Sequence, residues 1–151
     1  MTGTRLLKQM GAALVAAGVL SVAIGVQAQQ APPPKAGTSL GQVKIAKDVI
    51  ANGQPLPAGT YTLRLTGDPA KPVVGQTPAE SQWVEFVQGQ DVKGKELATV
   101  LSPADAQKIV RSGKAPESGS AAVETLKGGD YVRVRAVRSG QHYLVHLAVK
   151  S

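Results

Sequence analysis

Apolar and polar residues alternate along most of the chain beyond residue 42, and a period of two is typical of β-strands with one buried face. Tyr61, Leu63 and Leu65 show the pattern clearly, because polar residues stand between them. The same alternation, or a short apolar run of strand length, predicts further strands. They lie at residues 43–46, 49–51, 83–87, 96–101, 123–126, 131–137 and 143–149.

Turn-forming residues separate these segments where the chain must reverse direction. Asn52-Gly53 is the strongest short signal for a β-hairpin, because both turn positions accept a positive φ. Further turns are predicted at residues 56–59, 128–129 and 139–140.

One segment, near residues 103–112, predicts a helix. Ser102 is suited to cap it, Pro103 fits the first helical position, and Asp105 resembles the acidic partner of a capping box. The predicted inner stripe consists of Ala106, Ile109 and Val110. Seven or eight short strands with one short helix make the chain mostly β, and we expect a small antiparallel β-sandwich or an open barrel.

The N-terminal 28 residues have the three-part layout of a secretory signal peptide. Arg5 and Lys8 provide the positive region, and an uncharged, mostly apolar run of 16 residues follows from Gly11 to Val26. Small residues precede the expected cleavage site after Ala28. A membrane-spanning helix needs about 20 apolar residues, so the pattern favours cleavage and export to the periplasm or the exterior over an uncleaved anchor.

The rest of the chain divides into a leader, residues 29–41, and a single β-rich domain, residues 42–151. The leader contains three consecutive prolines and has no apolar periodicity, which predicts an extended, disordered segment. Removal of 28 of the 151 residues leaves 123, enough for one ordinary domain. We expect a monomer that does not insert into the membrane after processing.

Composition excludes several functions. The chain has no cysteine, which rules out disulfides, thiolate catalysis and cysteine–zinc sites. After cleavage, 15 basic and 10 acidic residues remain, with a net charge of +5. The basic residues are scattered among acidic ones, and one Trp and one Phe offer few surfaces for stacking bases, so nucleic-acid binding is unsupported. Adhesion to an anionic envelope polymer, or to another exported protein, remains open.

Residues 52–63, with the sequence NGQPLPAGTYTL, resemble a segment of uncharacterised secreted bacterial β-domains of unknown function. They also resemble the turn and tyrosine that precede a strand in immunoglobulin-like sandwiches. The resemblance covers about a dozen residues. It implies an exported β-domain and assigns no catalytic residue.

Two glycine-rich segments imitate catalytic motifs. Residues 37–41, GTSLG, have the spacing of a serine-hydrolase nucleophile elbow, but a proline-rich leader precedes them and a predicted strand follows. Residues 89–96, GQDVKGKE, approach a phosphate-binding loop, but Glu96 replaces the Ser or Thr and no helix follows. We therefore predict no catalytic residue and no cofactor-binding residue.

The two histidines, His142 and His146, could share a metal on a helix, where residues four apart are neighbours. Their apolar surroundings predict a strand, which separates them by about 13 Å. We therefore predict no metal site, although a carboxylate such as Glu85 or Glu124 could still approach one of them.

The remaining candidates for ligand binding are Arg133, Arg135 and Trp83. The two arginines share one face of a predicted strand, about 7 Å apart, and could hold a carboxylate or a sulfate. The simpler interpretation is a solvated face with a cross-strand partner such as Glu124. Trp83 could stack on a sugar together with three tyrosines, or pack in the core. The sequence therefore favours a non-catalytic structural or interaction module, with a binder of a small anionic or carbohydrate ligand as the alternative.

Overall fold

The alternating segments form strands in the computed structural model, which describes residues 35–68, 70, 71, 74, 81–109 and 114–151. The predictions for the signal peptide, for cleavage after Ala28 and for leader residues 29–34 lie outside the described residues. No helix in the described part of the chain is long and apolar enough to cross a bilayer.

The described residues contain nine strands and one helix, which confirms a mostly β fold. The strands are β1 (Ser39–Ile45), β2 (Val49–Ala51), β3 (Gln54–Leu56), β4 (Gly59–Leu65), β5 (Ser81–Gln88), β6 (Asp91–Leu101), β7 (Ala121–Thr125), β8 (Tyr131–Arg138) and β9 (Gln141–Val149). Helix α1 spans Pro103–Ile109, between β6 and β7.

The strands form one antiparallel sheet that curls into a nearly closed barrel. The order of its strands is β1-β4-β5-β6-β9-β8-β7. Strand β2 of the short β2–β3 hairpin pairs with the C-terminal end of β9, past the part of β9 that pairs with β6. The end strands approach each other at Gly41. A Cβ placed on this residue would lie 2.9 Å from backbone atoms of Ser120 and Ala121. Of the two architectures predicted from the sequence, the structure therefore has the barrel.

The barrel interior is filled by the inward-facing side chains of its strands. The largest fully buried ones are Tyr61, Tyr143, Phe86, Leu40, Ile45, Leu56, Leu63, Leu65 and Leu147. The rings of Tyr61 and Phe86 meet edge to face, with centroids 6.1 Å apart. Such pairs stabilise a core beyond their buried area, and the core side chains in the described part of the barrel are apolar or aromatic.

The Asn52-Gly53 hairpin forms as predicted, with φ values of 47° and 76°. Its backbone is held by Glu96, whose Oε2 accepts a hydrogen bond from the amide of Asn52 at 2.5 Å. In the following turn, the Tyr61 hydroxyl donates a 2.6 Å hydrogen bond to the carbonyl of Pro57. Residues 52–63 therefore form a hairpin and a turn that are anchored in the core by Leu56, Tyr61 and Leu63.

The capping prediction for α1 is confirmed, because Ser102 Oγ accepts a hydrogen bond from the Asp105 amide at 3.2 Å and donates to its Oδ2 at 2.7 Å. The predicted inner stripe is only partly correct. Ala106 is buried, but Ile109 is 50% exposed, and Val110 lies outside the described residues. A helix that rests on the sheet for two turns buries only the residue directly above the strands.

The first strand begins at Ser39, three residues before the predicted start of the domain. Leu40, assigned to the leader from the sequence, is fully buried in the core. A register shift between Ser39 and Gly41 explains the difference, because an irregular strand loses the period of two on which the prediction rested.

Candidate functional site

Strand β8 carries the predicted arginines on the outer face of the barrel. Val132 and Val134 point into the core, as the alternation predicted, while Arg133 and Arg135 face outward. The neighbouring strands add outward residues at the same level. Glu124 of β7 and His146 of β9 flank Arg133, whereas Ala122 and Leu144 flank Arg135.

We refer to Glu124, Arg133, Arg135, His142 and His146 as the outer basic cluster. Three adjacent strands position these residues, and the register of β8 and β9 follows from the turn between them. Ser139 and Gly140 form a two-residue turn with φ values of 51° and 74°, which pairs residues equally distant from the turn.

Arg133 bridges the two strands beside it. Its Nη1 donates to Glu124 Oε1 at 3.0 Å, and its Nε donates to His146 Nε2 at 3.1 Å. His146 Nε2 can accept this bond only when it carries no proton, so this arrangement needs the neutral imidazole with its proton on Nδ1. Burial lowers the pKa of His146, the Arg133 charge lowers it further, and Glu124 partly opposes both effects.

Arg135 has a different environment, because its Nε has no hydrogen-bond acceptor among the described residues. The residue is 7% exposed, and its Nε is buried without a partner. Its neighbour Leu144 on β9 is also buried, and β9 is one of the two strands against which α1 packs. Burial lowers the pKa of His142, and the nearby charge of Arg135 lowers it further.

Trp83 lies on the outer face of β5, away from the outer basic cluster. Strands β6 and β9 separate β5 from β8, which corresponds to roughly 14 Å at the usual strand spacing. The Lys95 ammonium lies 4.9 Å from the centroid of the Trp83 ring and is also paired with Asp68. The structure therefore brings Arg133 and Arg135 together and leaves Trp83 in a separate cation–π contact.

The three tyrosines do not join Trp83 in one platform. Tyr61 and Tyr143 are core residues, whereas Tyr131 is 51% exposed on β8. Burial raises the pKa of Tyr143 to about 12, so its hydroxyl stays protonated and donates to Gln141 Oε1 at 3.1 Å.

The histidines occupy one strand, as predicted. Both face outward from β9, four residues and about 13 Å apart along the strand. No group of three His, Cys, Asp or Glu side chains in the described residues is placed to hold a metal ion.

The two glycine-rich segments are structural features of the barrel. Gly89 and Gln90 form the turn of the β5–β6 hairpin, with Gly89 at a φ of 63°. Ser39 begins β1, and its hydroxyl accepts a 3.4 Å hydrogen bond from the Gly41 amide. Strands follow both segments, so neither has the helix that its catalytic counterpart requires.

Two features of the cluster were not predicted from the sequence, the contact between Arg133 and His146 and the burial of Arg135. The contact between Arg133 and His146 could have been found from the register of the two-residue turn at 139–140. The burial of Arg135 had no such signal, because alternation places it on the outer face, where charged residues are usually exposed.

Comparison of the chain with protein families, with curated proteins and with solved structures found no match in any of the three.

Proposed function

We propose that the chain is an exported, monomeric, non-catalytic β-barrel module that binds an anionic polymer of the cell envelope through basic side chains on its surface. The observation that carries this proposal is the filled interior, whose largest side chains are fully buried. A partner must therefore meet the outside of the barrel. The N-terminal signal-peptide layout and the resemblance of residues 52–63 to secreted β-domains support export.

The distribution of ion pairs supports an anionic partner. Five carboxylates of the described residues are already neutralised by basic side chains. The pairs are Arg64–Glu85, Lys93–Asp91, Lys95–Asp68, Lys108–Asp105 and Arg133–Glu124. Other basic side chains of the described part form no ion pair, so the charge available to a partner is mainly positive.

One end of the barrel brings together three segments that each carry one of these unpaired lysines, and two of the segments also carry an aspartate, Asp48 or Asp130. The backbone amide of Lys150 donates to the carbonyl of Asp48 at 2.9 Å, and that of Val149 donates to Asp130 at 2.8 Å. These bonds hold the β1–β2 connection and the β7–β8 turn beside the end of β9. We call the lysines on these three segments the basic end: Lys47, Lys127 and Lys150.

The hydrogen bonds of His146 and Ser39, a possible base and a possible nucleophile, support a non-catalytic role. The Nε2 lone pair of His146 accepts from Arg133 and is not free to take a proton from a nucleophile. The Ser39 hydroxyl sits at the start of an edge strand, bonded to the local backbone.

Co-sedimentation with purified peptidoglycan sacculi tests the proposal. We expect the exported protein to pellet with sacculi at low salt and to be released as salt screens the lysines. A triple Lys→Gln variant of the basic end should lose most of this binding. The matched control is the triple Lys→Gln variant at Lys93, Lys95 and Lys108, which removes the same charge from lysines already in ion pairs. Equal binding by parent and basic-end variant would contradict the proposal.

A further inference from the structure

Arg135 is a charged residue in a place where charges are rarely found unpaired. It is 93% buried, given its exposed fraction of 7%, and its Nε has no acceptor among the described residues. A guanidinium keeps its positive charge in proteins, so Arg135 cannot become neutral to avoid this cost. Burying such a group is unfavourable unless an anion or several acceptors compensate for the lost water.

No carboxylate in the described part of the chain forms an ion pair with Arg135. The nearest carboxylate of the outer basic cluster, Glu124, is bonded to Arg133 instead. The two histidines add no negative charge, and the pKa of His142 is lowered partly by Arg135 itself. The outer basic cluster therefore holds two guanidinium groups and one carboxylate, and that carboxylate is paired with Arg133.

Access to Arg135 is asymmetric. On the β9 side it is flanked by Leu144, which is 2% exposed. On the β7 side its partner is Ala122, a small and exposed residue. Strand β7 pairs only with β8 among the described strands, so this side is near an edge of the sheet. We therefore expect a ligand that reaches the guanidinium to come from the side of Ala122, where the flanking side chain is small.

We propose that Arg135 binds the oxyanion group of a small ligand, a carboxylate or a phosphate, which approaches over Ala122 of β7. Both groups accept two parallel hydrogen bonds from a guanidinium, and such charge-assisted pairs are the strongest hydrogen bonds in proteins. Arg133 stays paired with Glu124 and does not form the primary contact. The site lies on the face of β8, whereas the basic end lies in the connections beside the end of β9, so this inference does not depend on polymer binding.

Thermal unfolding of the exported protein with added anions provides the first test. Sodium acetate and sodium phosphate are compared with sodium chloride at matched ionic strength, and the larger response identifies the preferred oxyanion. We expect the midpoint to rise by about 3 °C or more at a tenfold excess over the dissociation constant. The Arg135→Gln variant should show no rise. Arg138→Gln, which removes the same charge from the same strand, should respond like the parent.

A second pair of variants keeps the inference testable if Arg135→Gln folds poorly. Ala122→Phe places a large side chain at an exposed strand position, over the proposed approach to the guanidinium. We expect this variant to fold and to need at least a tenfold higher anion concentration for the same rise in the unfolding midpoint. Arg135→Met should unfold in chloride at the same temperature as the parent or higher, because it removes an uncompensated buried charge. A lower midpoint for Arg135→Met would show a structural contact and contradict the inference.

Nuclear magnetic resonance gives a readout that a merely structural arginine would not produce. Binding of an anion beside His142 should raise the pKa of this imidazole in the parent, since the new negative charge opposes that of Arg135. The His142 pKa should not respond to the anion in Arg135→Gln.

Two further outcomes would overturn the inference. The first is the absence of any anion response in the parent. The second concerns Glu80, the one acidic residue of the domain outside the described residues. If Glu80→Gln creates a strong anion response that the parent lacks, the counter-charge of Arg135 belongs to the chain itself.

Discussion

Arg133 donates a hydrogen bond from Nε to Nε2 of His146, across the β8–β9 pair at 3.1 Å. A basic side chain thus donates to a second basic side chain, which is possible only while the imidazole is neutral. The contact links the charge state of His146 to the integrity of the outer face.

Stability should therefore fall in mild acid. The folded-state pKa values of His142 and His146 are both lowered, so the unfolded chain binds protons more readily than the folded one. The stability contributed by the neutral histidines is fully present above the unfolded pKa of about 6.5 and is lost as pH falls through the lowered folded values.

Urea denaturation at about pH 7.5 and pH 5.5 measures this loss. The midpoint should drop at the lower pH in the parent and drop less in His146→Asn. The double variant that also carries His142→Asn should be nearly insensitive over this interval. A parent midpoint independent of pH would show that the histidines titrate alike in both states.

The hydroxyl of Tyr61 should matter separately from its ring. Tyr61→Phe keeps the packing against Phe86 but leaves the Pro57 carbonyl without its donor, for an expected loss of about 1 kcal/mol. Leu63→Ala, a large-to-small change in the core, should cost about 2–5 kcal/mol. The control is Tyr131→Phe at an exposed ring, which should stay within about 0.5 kcal/mol. Chemical denaturation measures all three variants.

Closure of the barrel should depend on Gly41. It has a φ of +119°, and a Cβ there would lie 2.9 Å from the backbone of Ser120 and Ala121. Gly41→Ala should lower the free energy of unfolding by about 2–5 kcal/mol, because it adds both backbone strain and overpacking. Gly37→Ala is the matched control, because Gly37 has a φ of +81° and open space around it, and should cost about 1 kcal/mol. Similar losses in both variants would show that the contact between β1 and β7 adds nothing.

Processing is predicted from the first 28 residues. Mass spectrometry of the exported protein should find Gln29 at the N-terminus, with or without cyclisation to pyroglutamate. Recovery of a chain that begins at Met1 from the membrane fraction would contradict cleavage after Ala28.

Much of the fold could be predicted because local physical chemistry determines it. Asn52-Gly53 and Ser139-Gly140 form tight turns through their tolerance of positive φ, whatever surrounds them. Ser102 caps α1 through a bond to a residue three positions away. The alternation of Tyr61, Leu63 and Leu65 was sufficient to assign their core face.

The candidate site was predictable only in part. Its strand, its face and the partnership of Arg133 with Glu124 followed from alternation and cross-strand pairing. The sequence also placed Trp83 among the candidates for binding. Three strand spacings between β5 and β8 separate it from the arginines, and no local pattern reports the order of strands in a sheet.

The sequence by itself determined the strands, the tight turns, the capped helix and the inward or outward direction of most side chains, because each depends on residues a few positions apart. Tertiary structure alone decided the closure of the sheet at Gly41, the burial of Leu40 and the exposure of Ile109. It also decided that Arg135, outward by alternation, is covered and left without a partner among the described residues. Burial on an outer face is set by which distant segments pack over it, and that information is not local in the chain.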